Sequence, residues 1–385
     1  MSLPLGWTST RLADVSTINM GQSPDGEFTN SWGEGVPLIG GAADYHAGII
    51  NITRYTTEPK KICEAGDLIL SIRATIGKLA VADKQYCIGR GVVAIKPHIN
   101  SKYLQYVLIK NAKKLDDLGV GSTFKQIDKK TIENLPIQLP PLDEQRRITA
   151  KLDALIGRVE NTSRVLSQLK LQIAKYKELL LDSAYTGNIT EQWRIANKKR
   201  STDLSELKDF VLTFDYGTSA KSSKQGSVPV LRMGNIQEGR IDLKSLVYTS
   251  DDKEIKKYLL AKGDVLFNRT NSPELVGKTA VFNENLSAIF AGYLIRIRCS
   301  EQLLPDYLAY CINSPSGKAY CQKVKNDGIS QSNINAKKLA AFPIRVPSLE
   351  EQHIILDKIE VAFKLVDSAY QQINLANTFI NFLRT

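Results

Sequence analysis

LPPLDEQRRI, residues 139–148, returns as VPSLEEQHII, residues 346–355. Each copy places a proline-containing stop before an acidic pair and a glutamine, and then opens an apolar periodic segment. That order is how a helix begins. Pro141 suits a helix entrance, and Ser348 with Glu351 has the S-x-x-E spacing of a capping box.

The segments that follow are heptad-like. From Ile148 the core-facing positions run Leu152, Leu155, Val159, Thr162, Leu166, Leu169, Ile173, Tyr176 and Leu180, in steps of four and three. From Ile355 they run Ile359, Ala362, Val366, Ala369, Ile373, Ala376, Ile380 and Leu383. Seams of this period predict coiled-coil packing. Because the first is rich in Leu and the second alternates large residues with Ala, the two helices are expected to pair with each other. At 1.5 Å per residue the first seam spans roughly 50 Å, so the pair is a long spacer. A homodimer would use the same pattern.

The echo extends upstream of the helices. LADV (12–15) with GQS (21–23) matches LKDF (207–210) with GTS (217–219), and VPLIG (36–40) matches VPVLR (228–232). GDLILSIRATIGK (66–78) matches GDVLFNRTNSPELVGK (263–278), with three extra residues in a turn. STFKQI (122–127) matches SQSNI (330–334). The offset drifts from 195 (Leu12 to Leu207) to 207 (Glu144 to Glu351), as expected when two copies keep their elements and differ in loop length. Solenoid repeats are far shorter, at about 20–50 residues. Between the helices run short β-type stretches and one helical stretch per copy, 101–118 and 305–324. The fold class is therefore α+β: two tandem domains separated by a long antiparallel coiled-coil helix pair, an internal repeat of pseudo-two-fold character. The expected boundaries are 1–142 for the first domain, 143–186 for the central helix, 187–347 for the second domain with a polar linker at 187–203, and 348–385 for the C-terminal helix.

The net charge of +11 suggests a polyanionic partner. Residues 143–182 hold eight Lys/Arg against six Asp/Glu, and residues 350–385 hold three against five, so the excess lies on the remaining regions. The first residues lack the pattern of a signal peptide and no run has the ~18 apolar residues that span a membrane, which predicts a cytoplasmic protein with no membrane partner. Five cysteines without a C-x-x-C, and three histidines far apart, predict neither zinc nor disulfides.

Catalytic signatures are missing too. No N-P-P-Y motif for an exocyclic-amine methyltransferase occurs, and Ile72 and Ser272 stand where a G-x-x-x-x-G-K-[ST] loop ending at Gly77-Lys78 or Gly277-Lys278 needs its first glycine. Asp252, Glu254 and Lys256 loosely imitate a nuclease cluster, but DDKEIKK reads as a solvated face. His353 falls in a coiled coil, so no Ser–His–Asp set can be assigned. No catalytic or metal-ligating residue is expected.

Two domains, each ending in [LV]-P-x-L-[DE]-E-Q, with LDALIGRVENTSRVLSQLKLQIAKYKELLLDSAYTG between them, resemble the specificity subunit of a type I restriction-modification system. The resemblance covers essentially the whole chain. It implies that each globular part is a target recognition domain for one half of a bipartite double-stranded DNA site. The helices would set the spacer and dock modification subunits, two of them, and restriction subunits. The halves would be read about one turn (~34 Å) apart. It also implies no cofactor in this chain, with S-adenosylmethionine and ATP bound by the partner subunits. The competing reading is a non-catalytic coiled-coil scaffold, or an RNA-binding protein without sequence-specific DNA recognition.

Matched polar loops supply the candidate DNA contacts, because these residue types read base edges and phosphates and equally make ordinary solvated turns. They are Gln22, Ser23, Arg73, Lys78, Thr123, Lys125 and Gln126 in the first domain. In the second they are Lys221, Asn268, Arg269, Asn271, Lys278, Gln331 and Asn333.

Overall fold

The computed structural model describes residues 3–121, 125–329 and 331–384. The chain divides into two compact units, Met1–Asn161 and Thr162–Thr385.

Each unit is built on a four-stranded antiparallel sheet of the same order. In the first unit the strands run Leu79–Val81, Leu68–Ser71, Val92–Pro97, Ser16–Met20. In the second, the matching strands are Thr279–Phe282, Asp264–Asn268, Leu294–Cys299 and Val211–Tyr216. Both faces of the sheet are covered, which is why the runs 68–70, 92–95 and 265–267 are apolar without a break. Leu68, Leu70, Val93 and Ile95 face one core, while Ile69, Val92 and Ala94 face another. Val265, Phe267, Ile295 and Ile297 are divided from Leu266 and Leu294 in the same way. A second small sheet in each unit contains one parallel pair, Leu38 and Ile39 beside Cys87 and Ile88, or Val230 and Leu231 beside Ile289 and Phe290.

The motif glutamine joins each domain to its long helix. Gln145, 3% exposed, accepts at Oε1 from the Asn100 N–H (3.1 Å) and donates from Nε2 to the Pro140 carbonyl (2.9 Å). Gln352, wholly buried, accepts from the Leu304 N–H (2.8 Å) and donates to the carbonyls of Pro347 and Gln302 (both 2.8 Å). Only an amide supplies both an acceptor and donors here, so glutamate would leave carbonyls unpaired. Tyr103 and Tyr307 repeat the tie, each hydroxyl donating to a carbonyl of the terminal strand segment, Gln138 (2.5 Å) or Arg345 (2.7 Å). Replacing Gln352 by Ala orphans one buried N–H and two carbonyls, and should lower unit-two stability by about 2 kcal/mol in urea unfolding. A loss indistinguishable from that of Gln371→Ala, an exposed position on the same helix, would remove this account of the motif.

The first long helix is Leu142–Thr186 and the second Leu349–Arg384. Within the second unit they run antiparallel. The Tyr370 hydroxyl donates to the Lys170 carbonyl (3.2 Å), Lys177 pairs with Asp367 (2.9 Å), and Ala184 packs in one core with Ile355 and Ile359. On the second helix Ile355, Ile359, Val366, Ile373 and Ile380 are all buried.

The first helix departs from its expected seam. Ile148, Leu152, Val159, Leu166, Ile173 and Leu180 are half-buried, but Leu155, Leu169 and Tyr176 are 47, 39 and 50% exposed. Half-buried Ser163, Lys170 and Lys177 and buried Ala184 take the alternating places. The second helix supplies the reason, because it contributes Phe363 and Tyr370. The Lys177 ammonium lies 5.3 and 5.5 Å from their ring centroids. A long amphipathic side chain fills the seam and keeps its charge at the rim.

The expected linker at 187–203 is not all loose. Asn188–Thr190 forms a 3₁₀ turn and Glu191–Ala196 a short helix, and Thr190 is fully buried. Glu351 accounts for it. Its carboxylate accepts from the Thr190 hydroxyl (2.6 Å) and pairs with Arg194 (2.5 Å), with both charged side chains nearly buried. The capping box is thus half-formed: the Glu351 N–H reaches Ser348 Oγ at 3.4 Å, while the Glu351 carboxylate turns to the linker. Among the described residues no helix is long and apolar enough to cross a membrane.

Candidate nucleic-acid interface

Candidates from both units, Arg73 and Gln126 in the first and Arg269, Asn271 and Asn333 in the second, lie at one end of the central sheet, where irregular strands extend the ladder. In the first unit the Ile72 N–H donates to the Gly91 carbonyl (2.9 Å), the Ile127 N–H donates to the Ile72 carbonyl (3.0 Å), and Arg73 bridges Gln126 antiparallel. In the second the Arg269 N–H donates to Tyr293 (3.0 Å), the Ile334 N–H donates to Arg269 (2.9 Å), and Thr270 pairs with Asn333. The frames coincide bond for bond. They agree with the alignment counted from the shared Gly-Asp: Arg269 stands where Ile72 stands, and the counterpart of Arg73 is Thr270.

Two glycines per unit make these ends. A Cβ on Gly21 would lie 2.1 Å from the Gly89 carbonyl oxygen, and one on Gly217 would lie 2.4 Å from those of Phe290 and Ala291. Only a bare Cα lets the crossing strands approach, which explains the glycine of GQS and GTS. Gly77 and Gly277 have φ of +87° and +93°, closing the turn that returns each N–H to the Ser71 or Asn268 carbonyl.

Gln22, Arg73, Lys78, Lys125 and Gln126 are exposed in the first unit, and Ser23 is half-buried. Arg73, Lys125 and Gln126 come together through the bridge, although Lys125 also pairs with Asp116 (3.1 Å). Ser23 Oγ accepts from the Arg90 backbone N–H (3.2 Å), which brings in a cation not among the sequence candidates. Arg90 lies between Gly89 and Gly91 in a stretch of ordinary strand character, and the isolated arginine between two glycines was its only signal. Thr123 lies outside the described residues.

The second unit differs. Asn268 is wholly buried and donates to the Met233 carbonyl (3.4 Å), so it is a framework residue and not a surface contact. Arg269 is held inward as well. Its guanidinium donates to the Gly292 carbonyl (3.2 Å) and to Asn333 Oδ1 (3.3 Å), and lies 4.8 Å from the centroid of the Tyr216 ring. Asn268 Oδ1 and Arg269 Nε are buried without a hydrogen-bond partner among the described residues. That is the mark of polar side chains set into a frame that holds Ser71 and Ile72 in the first unit. Asn271 accepts from the Ser272 N–H (2.8 Å) and Lys278 donates to Gln237 (3.1 Å). Lys221 and Gln331 are exposed, and Asn333 is half-buried.

Charges elsewhere are spent on structure. Burial works to raise the Asp215 carboxyl, but hydrogen bonds from Arg296 and Thr213 outweigh it and hold it below the usual carboxylate range. Glu254, read from the sequence as part of a solvated face, accepts the Thr218 hydroxyl. Burial pushes the Cys63 thiol up to about 11 and those of Cys311 and Cys321 up to about 12, far from a nucleophile's range at neutral pH. Among the described residues no group of three His, Cys, Asp or Glu could hold a metal ion.

A family profile described as "Type I restriction modification DNA specificity domain" matches residues 4–171 and 202–376. The chain is 25% identical over 410 residues to the type I restriction enzyme EcoKI specificity subunit of Escherichia coli K12, covering 99% of this chain and 87% of that protein. It is 24% identical over 404 residues to the StySPI specificity subunit of Salmonella potsdam, covering 99% and 87%. Its fold is similar to the crystal structure of the HsdS subunit from Thermoanaerobacter tengcongensis, with a TM-score of 0.64 at 17% identity over 99% of this chain and 97% of that one.

Proposed function

Because this chain belongs to the type I restriction-modification DNA specificity family, we propose that it is the DNA-recognition subunit of a type I complex. Each unit reads one half of a bipartite double-stranded site. The observation that carries this reading is the duplicated ladder, one frame presented twice with different polar side chains. A protein needs that to read two different half-sites through one geometry. The exposed candidates are Gln22, Arg73, Lys78, Lys125 and Gln126 in the first unit and Lys221 and Gln331 in the second.

The chain is proposed to be non-catalytic and cytoplasmic. S-adenosylmethionine and ATP belong to the partner subunits, which methylate adenine and cleave DNA. Two modification subunits dock on the long helices, and restriction subunits join the assembly. Support for the docking comes from a second heptad stripe that faces away from the helix pair. Leu155, Val165, Leu169, Tyr176 and Leu179 are exposed along one line of the first helix, as are Val361, Leu365, Leu375 and Phe379 along the second.

Methylation sequencing of cells carrying the modification subunit, with and without this chain, tests the reading. A bipartite methylated-adenine motif that vanishes without the chain is expected. Methylation that does not depend on the chain would overturn the reading. Steep salt dependence of nucleic-acid binding without sequence discrimination would instead support the scaffold or RNA-binding alternative.

A further inference from the structure

The two ladders match in their backbone and differ in the pair of side chains each holds outward. We infer that these cross-strand pairs, Arg73 with Gln126 and Thr270 with Asn333, are the specificity-determining positions, and that the first unit requires a guanine beside an adenine where the second does not. This inference rests on the recognition reading above.

Residues directly opposite each other on antiparallel strands project from the same face with their Cβ atoms about 5 Å apart. The second unit demonstrates the reach: Asn333 Nδ2 donates to Thr270 Oγ1 at 2.7 Å. In the first unit Arg73 and Gln126 are both exposed, and among the described residues no hydrogen bond holds the side chain of either. Among the described residues their side-chain donors and acceptors are free. The bases of both side chains are fixed, because Ile72 and Ile127 on either side are 4% exposed and locked in the ladder. An arginine fork matches O6 and N7 of guanine, and a glutamine amide matches N6 and N7 of adenine. Adjacent on one face, they suit two neighbouring bases.

In the second unit the arginine has moved one step back along the strand, to 269, where it serves the frame. It occupies the Asn333 carbonyl oxygen and leans on the Tyr216 ring, while Gly292 stands where the first unit has Arg90. What remains is the Thr270 methyl and hydroxyl hydrogen and one Asn333 amide hydrogen. None of these can by itself make the two-point contact that selects guanine. The second pair is neutral and pre-organised, and the first is cationic and open.

The exchange of pairs tests this in the assembled complex. Arg73→Thr with Gln126→Asn should relax one or two adjacent base pairs in one half-site only, lowering discrimination there by about 10- to 100-fold. The reciprocal Thr270→Arg with Asn333→Gln should alter only the other half-site. Arg73→Lys, which keeps the charge and loses the fork, should weaken the guanine preference without removing methylation. The readout is the methylated motif in genomic DNA. If the unaltered chain directs no bipartite motif, the recognition reading itself fails. If it does, and both exchanged variants direct the same motif as before, or lose both half-sites equally while remaining folded and assembled, the pairs do not determine specificity.

Discussion

Replacing Arg194 by Ala should destabilise the second unit by about 3–5 kcal/mol, although the residue sits in a stretch that reads as a polar linker. Arg194 and Glu351 are 11% and 5% exposed in their side chains and pair at 2.5 Å. Removing the guanidinium strands a buried carboxylate with one hydroxyl partner, Thr190, which cannot replace a charge. The larger part of the loss is the isolated charge, so removing both charges should cost less than removing one. Arg194→Met with Glu351→Met is therefore expected to recover most of the stability in denaturant unfolding, because two apolar side chains need no solvation. If the double variant is as unstable as the sum of the singles, the pair acts through packing and not through charge.

The second large effect concerns association. Leu169→Glu with Tyr176→Glu should abolish binding of the modification subunits, with losses above about 100-fold, since two central apolar contacts of an interface commonly carry more than 2 kcal/mol each. Both residues point away from the helix pair, so stability of the second unit should shift by no more than about 0.5 kcal/mol. Ile359→Ala is the contrasting variant. Ile359 is fully buried in the core that joins the helices to the second unit, and its truncation should cost about 2–5 kcal/mol. Retained association of the Glu variant, measured by sedimentation of the mixed subunits, would place the docking surface elsewhere.

The two predictions share a cause that periodicity could not expose. A heptad pattern says that a helix has an apolar stripe, but a helix with two stripes offers a choice of seams. On the first helix the steps from Leu152 through Val159, Leu166 and Ile173 lead to one seam, and Leu155, Leu169 and Tyr176 belong to the other. Which seam closed was decided by the aromatic pair Phe363 and Tyr370 on the second helix, which accepts the stem and ammonium of Lys177. In the same way TGNITEQWR reads as a turn-rich boundary, because burial of Arg194 depends on a carboxylate more than 150 residues away.

By itself the sequence determined the duplication, the α+β class, the two helix starts and the polar loops at matched places. Those are local or repeated signals: glycines where strands cross, a glutamine that must both donate and accept, and apolar runs in the central strands because both faces are covered. The tertiary structure alone decided which face of the first helix is free, that Asn268 is buried framework, and that Arg269 is held inward while Arg73 is exposed. Register is the physical reason. Neighbouring positions on a strand face opposite sides, so the one-residue offset between Arg73 and Arg269, counted from the shared Gly-Asp, puts one arginine outward and the other inward, and only the packed sheet shows which side is which.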